Sequence, residues 1–321
     1  MKTQFLILFF VFVFFGISCK QESIGPINGI LVVYSNSLAE FIDDGGLGDL
    51  HLIVETVDPE EVFSFSFAEA SEFHGTLKER RIILLLLDEA DKHLFPGSFT
   101  ELTSGVQGGS DIWAIDQQVF GITVNPTSPQ LPVGLVSLLE DAYNNQMNDY
   151  IYESFVSTSM TSQARMDSIS SLGFTINIPK SYSVDNWSPE DGFIQYQRQP
   201  NDDCLLLFSI RTLTTSVELS DSNAVLAREA MARLFFYDSA ADSVDRSRIS
   251  LRSIEYSGLS GWEITGVWRN PEYLNAGAFT TRVLDAGEEW YIFDMEVYNP
   301  GMKKESFLRE GWIIMDTFFK E

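Results

Sequence analysis

The first eighteen residues restrict where the rest of the chain can fold. Met1–Gln4 contains one positive side chain, and Phe5–Phe15 (FLILFFVFVFF) is an uninterrupted apolar run. A cationic start, a short apolar core and small residues after it are typical of a secretory signal. The run reaches only about half of the roughly 20 apolar residues that a membrane-spanning helix needs. We therefore predict that residues 1–18 are a signal peptide and that the body folds outside the cytoplasm.

Cys19 follows the apolar run directly after Gly16, Ile17 and Ser18. In this position it resembles the cysteine of a bacterial lipoprotein signal, which is lipidated and becomes the mature N-terminus. Gly16 departs from that pattern, which usually has leucine there. The resemblance implies that Cys19 carries palmitate and further acyl chains, which together hold a protein firmly at a bilayer. Ordinary cleavage and an uncleaved anchor are the alternatives.

The residue after the cysteine indicates to which bacterial membrane a lipoprotein is sorted. It is Lys20 rather than aspartate, which by analogy favours the bacterial outer membrane. The body would then be either periplasmic or surface-exposed, and the membrane would be a partner through the N-terminal lipid.

The charge of the chain excludes one class of partner. The formal net charge is −25 at pH 7, from 46 acidic and 21 basic residues. Binding to a phosphate backbone needs clustered Lys and Arg, and the one local cluster, Lys78–Arg81, runs directly into an apolar strand. We predict no nucleic-acid partner. The acidity favours solubility, with attraction of cations or of a basic partner as the alternative.

The chain has two cysteines, so lipidation of Cys19 would leave Cys204 unpaired. Cys204 opens the apolar run Cys204–Phe208, and the second half contains no histidine. We predict that Cys204 is a small core residue rather than a nucleophile.

Hydrophobic periodicity predicts the elements of the first half. In order, it predicts a tether over Lys20–Asn28, strands over Gly29–Tyr34, His51–Val57 and Val62–Phe67, a helix over Ala68–Leu77, a strand over Arg80–Leu87, a loop over Pro96–Ser110, a strand within Asp111–Asn125 and a long helix from Val133.

The second half is predicted to be mostly β-sheet with few helices. It is predicted to contain a strand within Leu172–Pro179, a helix from Ser220 or Asp221 to Phe236 with Leu226, Ala230 and Leu234 on one side, strands over Trp262–Trp268, Thr280–Leu284 and Trp290–Tyr298, and a helix over Lys303–Phe319.

Grouped strands with a few covering helices favour an α+β fold over a doubly wound parallel sheet. We predict two domains behind the signal, residues 29–160 and 161–321, each mainly an antiparallel sheet covered by a few helices. Residues 19–28 would be the lipidated tether. The Ser- and Thr-rich stretch Ser154–Ser162 marks the expected boundary.

Several short motifs in collinear order resemble an uncharacterised bacterial lipoprotein family, domain of unknown function 4837. They are Gly29–Tyr34, Gly45–Asp49, Asp111–Ala114 with Gln117–Val119, Leu172–Phe174 with Ile178–Tyr182, Gly277–Phe279 and Tyr298–Lys304. The resemblance extends over nearly the whole mature chain, although Ala278 stands where the family often has proline. It implies lipid anchoring and carries no known activity, ligand or catalytic residue.

Two stretches resemble ligand sites at first sight. Gly45–Asp49 is glycine-rich, but it follows the acidic pair Asp43–Asp44 and precedes an apparent strand, so we interpret it as a turn rather than a phosphate loop. Asp88–His93 combines carboxylates with a histidine, but without the spacing of a known metal motif. We predict an acidic loop, no metal site and no cofactor.

The strand Trp290–Tyr298 carries the strongest candidate for a ligand face. Trp290, Asp294, Glu296 and Tyr298 lie on one side of it. Carboxylates flanked by aromatic rings are common on sugar-binding faces, but alternation alone would also produce them on a solvent-exposed face. With Trp262 and Trp268, such rings would form a groove for a glycan, peptide or lipid if exposed.

These observations favour a non-enzymatic binding module of the cell envelope that interacts with an envelope protein or polymer. No catalytic residue is assigned. The alternative is an envelope glycan or peptide hydrolase that uses carboxylates such as Asp294 and Glu296, because acid–base hydrolysis needs two facing carboxyl groups.

Overall fold

The computed structural model describes residues 20–151, 169–170, 172–236 and 242–320. The strands of the first half are β1 (Gly29–Tyr34), β2 (Ile53–Val54), β3 (Glu60–Glu61), β4 (Ser64–Glu69), β5 (Ile82–Leu87), β6 (Thr100–Thr103), β7 (Val106–Ser110) and β8 (Gln118–Thr123). Those of the second half are β9 (Phe174–Thr175), β10 (Ser183–Ser188), β11 (Phe193–Asn201), β12 (Cys204–Thr214), β13 (Ser243–Tyr256), β14 (Leu259–Asn270), β15 (Asn275–Asp285), β16 (Glu289–Tyr298) and β17 (Phe319–Lys320). The α-helices are α1 (Ala39–Asp43), α2 (Leu135–Ile151), α3 (Asp221–Phe235) and α4 (Glu305–Met315).

The first half contains a mixed sheet in the order β4-β1-β5-β8-β7-β6. Its first four strands in this order run parallel, and β7 and β6 continue it antiparallel. Every residue of β5 is buried, because α2 covers one face of the sheet and loop side chains cover the other. A strand buried on both faces reads as a continuous apolar run, as parallel strands do.

The α+β class is confirmed, since the sheets of the chain as described are mostly antiparallel and helices cover them. In the first half, however, the prediction of a mainly antiparallel sheet was wrong, because β1, β4, β5 and β8 are parallel. The apolar run of β5 without period-two alternation was the sequence signal for this difference.

Two local predictions in the first half were also wrong. The predicted helix Ala68–Leu77 is the end of β4 followed by the 3₁₀ turns Ala70–Glu72 and Gly75–Glu79. The predicted loop Pro96–Ser110 contains the hairpin β6–β7, which turns at Gly105 with φ +82°. The predicted strands Gly29–Tyr34 and Arg80–Leu87 agree with β1 and β5 within two residues.

The predicted tether is attached to the body over part of its length. Glu22 and Ile24 form bridges with Ile115 and Arg80, just before β8 and β5. The backbone N–H of Ser23 donates to the Ile115 carbonyl at 2.9 Å, and that of Ile24 to the Glu79 carbonyl at 2.8 Å. Residues 21–24 therefore do not form a free spacer, because their backbone groups pair with the segments that lead into β5 and β8.

The second half contains an antiparallel sheet in the order β10-β11-β12-β16-β15-β14-β13. Its central strand β16 is buried on both faces from Trp290 to Val297. Helix α3 covers one face and α4 the other. Ser220 begins α3 by accepting a hydrogen bond from the Asn223 backbone N–H at 3.2 Å, as an N-cap serine does.

Helix α4 belongs to both halves of the chain. Ile313 packs in the core beneath the first sheet, while Leu308 and Ile314 pack beneath the second. Gly311 allows a close approach to β16, since a Cβ atom there would lie 2.5 Å from the Met295 Cβ. The helix thus connects two sheets that share no strand.

The N-terminus of α4 is capped from the first half. The Glu60 carboxylate accepts hydrogen bonds from the backbone N–H of Lys304 at 2.8 Å and of Glu305 at 3.0 Å, and from the Thr56 hydroxyl at 3.0 Å. A carboxylate at this position satisfies two helix N–H groups that have no intrahelical acceptor. Glu60 is itself buried.

The side chains that follow extend this contact. The Tyr143 hydroxyl of α2 donates to the Glu305 carboxylate at 2.8 Å, and the Arg309 Nε donates to its other oxygen at 2.7 Å. Burial raises the pKa of Tyr143 strongly, and the Glu305 charge adds to this effect. Tyr143 is therefore a neutral donor to Glu305 at any ordinary pH.

Two sequence predictions fall outside the described ranges. They are the signal with Cys19, and the expected boundary at Ser154–Ser162. Among the helices that can be described, none combines the length and apolar character needed to cross a bilayer.

Glu60→Ala is expected to lower the free energy of unfolding by about 2 kcal/mol, because two helix N–H groups and one hydroxyl lose a charged acceptor. Urea denaturation followed by tryptophan fluorescence measures this change. The matched control is Glu61→Ala, where the neighbouring side chain is exposed, and there the loss should stay below about 1 kcal/mol. Equal losses in both variants would show that the cap does not stabilise the junction.

Candidate functional site

Strand β16 brings the predicted ligand-face residues onto the sheet face that α3 covers. Trp290 and Asp294 are buried, with exposed fractions of 4% and 0%, and Glu296 is 7% exposed. Tyr298, at the end of the strand, is half-buried. The interpretation of this side as a solvent-exposed face was therefore wrong, because a helix lies on it.

Arg228 of α3 provides the countercharge for the two buried carboxylates. Its Nε lies 3.3 Å from the Asp294 Oδ1, and its Nη2 lies 2.8 Å from the Glu296 Oε2. The Thr281 hydroxyl also donates to the Asp294 Oδ1, at 2.5 Å. The guanidinium stacks over the Phe279 ring, 4.2 Å from its centroid. Buried carboxylates need such partners, since an unpaired buried charge is strongly destabilising.

Sequence reasoning missed Arg228 because it assigned the wrong face of α3 to the core. The predicted apolar side points outward: Leu226 is 51% and Leu234 64% exposed. The buried face consists of small residues, one methionine and two charged side chains: Ala224, Val225, Ala227, Arg228, Glu229, Met231 and Ala232. Alanines at this spacing were the available signal, since they let a helix approach a sheet closely.

A cleft of about 470 Å³ lies on the same sheet face, beside Phe236 at the end of α3. The strand register brings its residues together. Leu205 pairs with Tyr298 and Leu207 with Glu296, while Trp268 pairs with Gly277 and Asn270 with Asn275. The lining residues are Leu205, Leu207, Phe236, Asp242, Trp268, Asn270, Tyr273, Asn275, Glu296 and Tyr298. Its volume falls within the range of small-molecule sites.

Gly277 makes room for one aromatic wall of the cleft. A Cβ atom at this position would lie 2.5 Å from the Trp268 Nε1 and 2.3 Å from the Val297 carbonyl. The indole therefore lies over a residue without a side chain. The Trp268 and Tyr298 rings are 6.3 Å apart and tilted by 38°, so they form two adjoining walls.

Burial and neighbouring charges set the protonation of the carboxylates in the cleft. Burial raises the pKa of Glu296 to about 8; Arg228 opposes this shift, while Asp294 and Asp242 add to it. Burial also raises the pKa of Asp242, against the hydrogen bond that it accepts from the Asn270 Nδ2 at 2.6 Å. The pKa of Asp294 is raised by burial and lowered by Arg228 and Thr281.

Several buried polar atoms on this face have no hydrogen-bond partner within the part of the chain that the structure describes. They include the Trp268 Nε1, the Asn275 Oδ1, the Trp290 Nε1 and the Asp294 Oδ2. Of these residues, Trp268 and Asn275 line the cleft. Buried polar atoms are normally satisfied, so unsatisfied atoms in this wall support a binding role for the cleft.

The geometry separates the two predicted carboxylates. Glu296 lines the cleft, but Asp294 lies beneath Arg228 with no exposed surface. A substrate cannot contact Asp294 in this arrangement. The second carboxylate in the cleft is Asp242, which sequence reasoning did not identify.

The other sequence candidates lie away from this cleft. Cys204 is buried at the start of β12, and burial raises the pKa of its thiol, which confirms it as a core residue. Gly45–Asp49 forms turns and a short 3₁₀ helix. Asp88 accepts hydrogen bonds from the Ser37 hydroxyl and the Ala90 N–H. Those bonds lower the pKa of Asp88.

The histidines do not converge on one site. His51 lies 3.2 Å from Glu61 on the surface, and the His93 Nδ1 lies 3.0 Å from the Ala90 carbonyl. Over the described ranges, no group of three His, Cys, Asp or Glu side chains could hold a metal ion.

A known family matches the second half of the chain. Residues 161–317 match the family described as domain of unknown function DUF4837, which confirms the resemblance predicted from the sequence. The match spans just under half of the 321 residues. The motifs quoted from the first half, Gly29–Tyr34 among them, lie outside it. No curated protein matches the sequence.

Three solved structures with distant similarity each match just under half of this chain. Cyanobacterial PsbP (CyanoP) from Synechocystis sp. PCC 6803 is 8% identical, with 47% of this chain and 88% of that chain covered and a TM-score of 0.34. A protein from Bacteroides thetaiotaomicron VPI-5482 is 9% identical, with 46% and 45% covered and a TM-score of 0.28. LpqN of Mycobacterium tuberculosis, which is involved in cell envelope biogenesis, is 11% identical, with 46% and 82% covered and a TM-score of 0.28.

Glu296→Gln is expected to flatten the pH dependence of stability. With the pKa of Glu296 raised from 4.5 to about 8, the folded state keeps a proton that the unfolded chain releases. The free energy of unfolding therefore falls as pH rises from about 4.5 to about 8. The glutamine variant lacks this titration and keeps the contributions of the other carboxyl groups whose pKa burial raises, namely Asp242, Asp294 and Glu310.

Urea denaturation at about pH 5 and about pH 8 measures the slope. The control is Glu101→Gln, which removes an exposed carboxylate from the first sheet and should retain the wild-type slope. A Glu296→Gln slope as steep as that of the wild type would contradict a raised pKa at this position.

Proposed function

We propose that this chain is a lipid-anchored binding protein of a bacterial cell envelope and that the cleft beside Phe236 is its ligand site. The anchor would be Cys19, after a signal over residues 1–18, and the membrane the outer membrane. The partner would be an envelope protein or polymer. The single observation that carries the binding role is the cleft itself, where β16 aligns Glu296 and Tyr298 with Trp268.

The state of the carboxylates favours binding over hydrolysis. Glu296 pairs with Arg228, and Asp242 accepts a hydrogen bond from Asn270. A retaining or inverting hydrolase needs one carboxyl group free to donate a proton and another free to act as base or nucleophile. Both side chains in the cleft are instead held by protein partners.

Hydrolysis is the second candidate function, because Asp242 and Glu296 both line the cleft and burial raises both pKa values. Incubation with defined envelope glycan and peptide fragments, followed by mass spectrometry, separates the two functions. A binding protein retains the fragments intact. Products that form with the wild type and not with Glu296→Gln would instead establish the hydrolase.

The proposed anchor would hold the body close to the bilayer. Cys19 directly precedes Lys20, whose ammonium group donates to the Asp111 carbonyl, and residues 21–24 pair with the first sheet. One residue spans at most about 3.6 Å, so no long spacer lies between the lipid and the folded body.

Cys19→Ser is expected to abolish incorporation of radiolabelled palmitate and to move the protein from the membrane to the soluble fraction, because several acyl chains provide the anchoring. Cys204→Ala is the matched control, since it removes the other cysteine, and it should retain the label. Palmitate labelling of Cys19→Ser, or unlabelled wild type, would refute the anchor and leave the cleft unaffected.

A further inference from the structure

The surroundings of Arg228 contain more carboxyl groups than cations. Asp294, Glu296 and Asp242 surround one guanidinium, that of Arg228; burial lowers its pKa, and all three carboxylates act to raise it. Arg228 contacts Asp294 and Glu296 directly, while Asp242 has the neutral partner Asn270. Buried negative charge without a matching cation is unfavourable. A proton or a second cation on this face would relieve it.

Two of these three carboxyl groups lie at the wall of the cleft. Glu296 and Asp242 line the cleft, and Asp294 lies beneath them under Arg228. Aromatic rings form much of the remaining wall: Phe236, Trp268, Tyr273 and Tyr298. Carboxylates combined with aromatic rings bind ammonium groups, because a cation is attracted to both.

The protein already holds one cation in this way. The Arg228 guanidinium lies between the carboxylates of Asp294 and Glu296 and over the Phe279 ring. Glu296 belongs both to that pair and to the cleft wall, so an incoming cation would contact the other side of the same carboxylate. A cation in the cleft would thus have the same kind of neighbours as Arg228, carboxylates and an aromatic ring, but at a position nearer to solvent.

We propose that the cleft binds a ligand through a protonated amine, which Glu296 and Asp242 contact and which the rings of Trp268 and Tyr298 flank. The inference rests on the proposed binding function and specifies its ligand class. Amino sugars and peptide amines contain such a group, whereas neutral glycans do not. A cleft of about 470 Å³ has room for a single sugar ring or a short side chain.

The test compares matched pairs of probes on the full-length protein by isothermal titration calorimetry. Glucosamine is compared with glucose and N-acetylglucosamine, and butylamine with butanol. We expect at least one amine to bind about tenfold or more tightly than its neutral counterparts, since one additional charged contact is worth that factor. In two-dimensional NMR, the Trp268 indole N–H resonance should shift with the amine.

Glu296→Gln is expected to remove this preference and to leave any binding of the neutral probe unchanged. Asp242→Asn, at the edge of the cleft, provides a second variant if Glu296→Gln does not fold. Glu101→Gln changes the net charge equally at a remote exposed site and should bind as the wild type does. A general attraction of cations to the acidic protein would instead weaken equally in all three variants, and that result would overturn the proposal.

The outcomes distinguish a failure of the amine proposal from a failure of the proposed binding function. Equal affinities for glucosamine and glucose, lost on substitution of Trp268, would refute the amine and keep a neutral-glycan binding protein. The absence of binding for every probe would refute the amine as the recognised group, while intact retention of larger envelope fragments would still support the binding module.

Discussion

The carboxylate of Glu60 at the N-terminus of α4 is a buried contact between the two halves of the chain. The two sheets share no strand, so their relative arrangement depends on elements and side chains that reach from one half to the other, among them Arg248, which donates to the Thr56 and Val57 carbonyls. Helix α4 contributes to both cores, with Ile313 in one and Leu308 in the other. Its first N–H groups lie in the buried junction, where they need acceptors. Because Glu60 supplies these acceptors from the first half, the helix cannot form its full set of contacts in the second half alone. The family match ends at residue 317 and includes α4, but it includes neither Glu60 nor Tyr143.

A second buried charge determines the shape of the candidate site. Asp294 occupies the centre of a sheet face, where a carboxylate is tolerated only with a countercharge. Arg228 reaches it because α3 presents small side chains such as Ala224 and Ala227 to the sheet. The same arrangement leaves Glu296 shared between Arg228 and the cleft. The ion pair and the cleft therefore both result from the face of α3 that packs on the sheet.

Elements with strong periodicity could be predicted from the sequence, and elements defined by tertiary contacts could not. Strand β16 and helix α2 were recognisable because each buries a regular set of side chains. The faces of α3 were not, since its leucines point to solvent and an arginine points to the core, which reverses the usual rule. The alternation of side chains along β16 indicated that the strand has two different faces, but it did not show that a helix covers the more polar face. Of the predicted ligand face and groove, Glu296, Tyr298 and Trp268 line the cleft, whereas Asp242, just before β13, was not predicted because only the fold brings it near.

If the proposed lipid anchors the chain, residues 20–24 and their neighbours are the part of the acidic body nearest to the membrane. A chain with net charge −25 is repelled by anionic headgroups, so a short anchor is tolerable only if the adjoining edge is less acidic than the rest. The region around residues 20–24 carries Lys20, Lys78, Arg80 and Arg81. Glu22, Glu79, Asp111 and Asp116 lie among them, so four positive and four negative charges make this region close to neutral instead of strongly negative. The cluster of basic residues before β5, which the sequence presents as the start of a strand, thus contacts the segment that follows the proposed lipidation site, with Arg81 donating to the Gly25 carbonyl and the Ser23 hydroxyl. Electrostatic repulsion falls off within about 8 Å at physiological salt, so the charge of this edge matters more for anchoring than the charge of the whole chain.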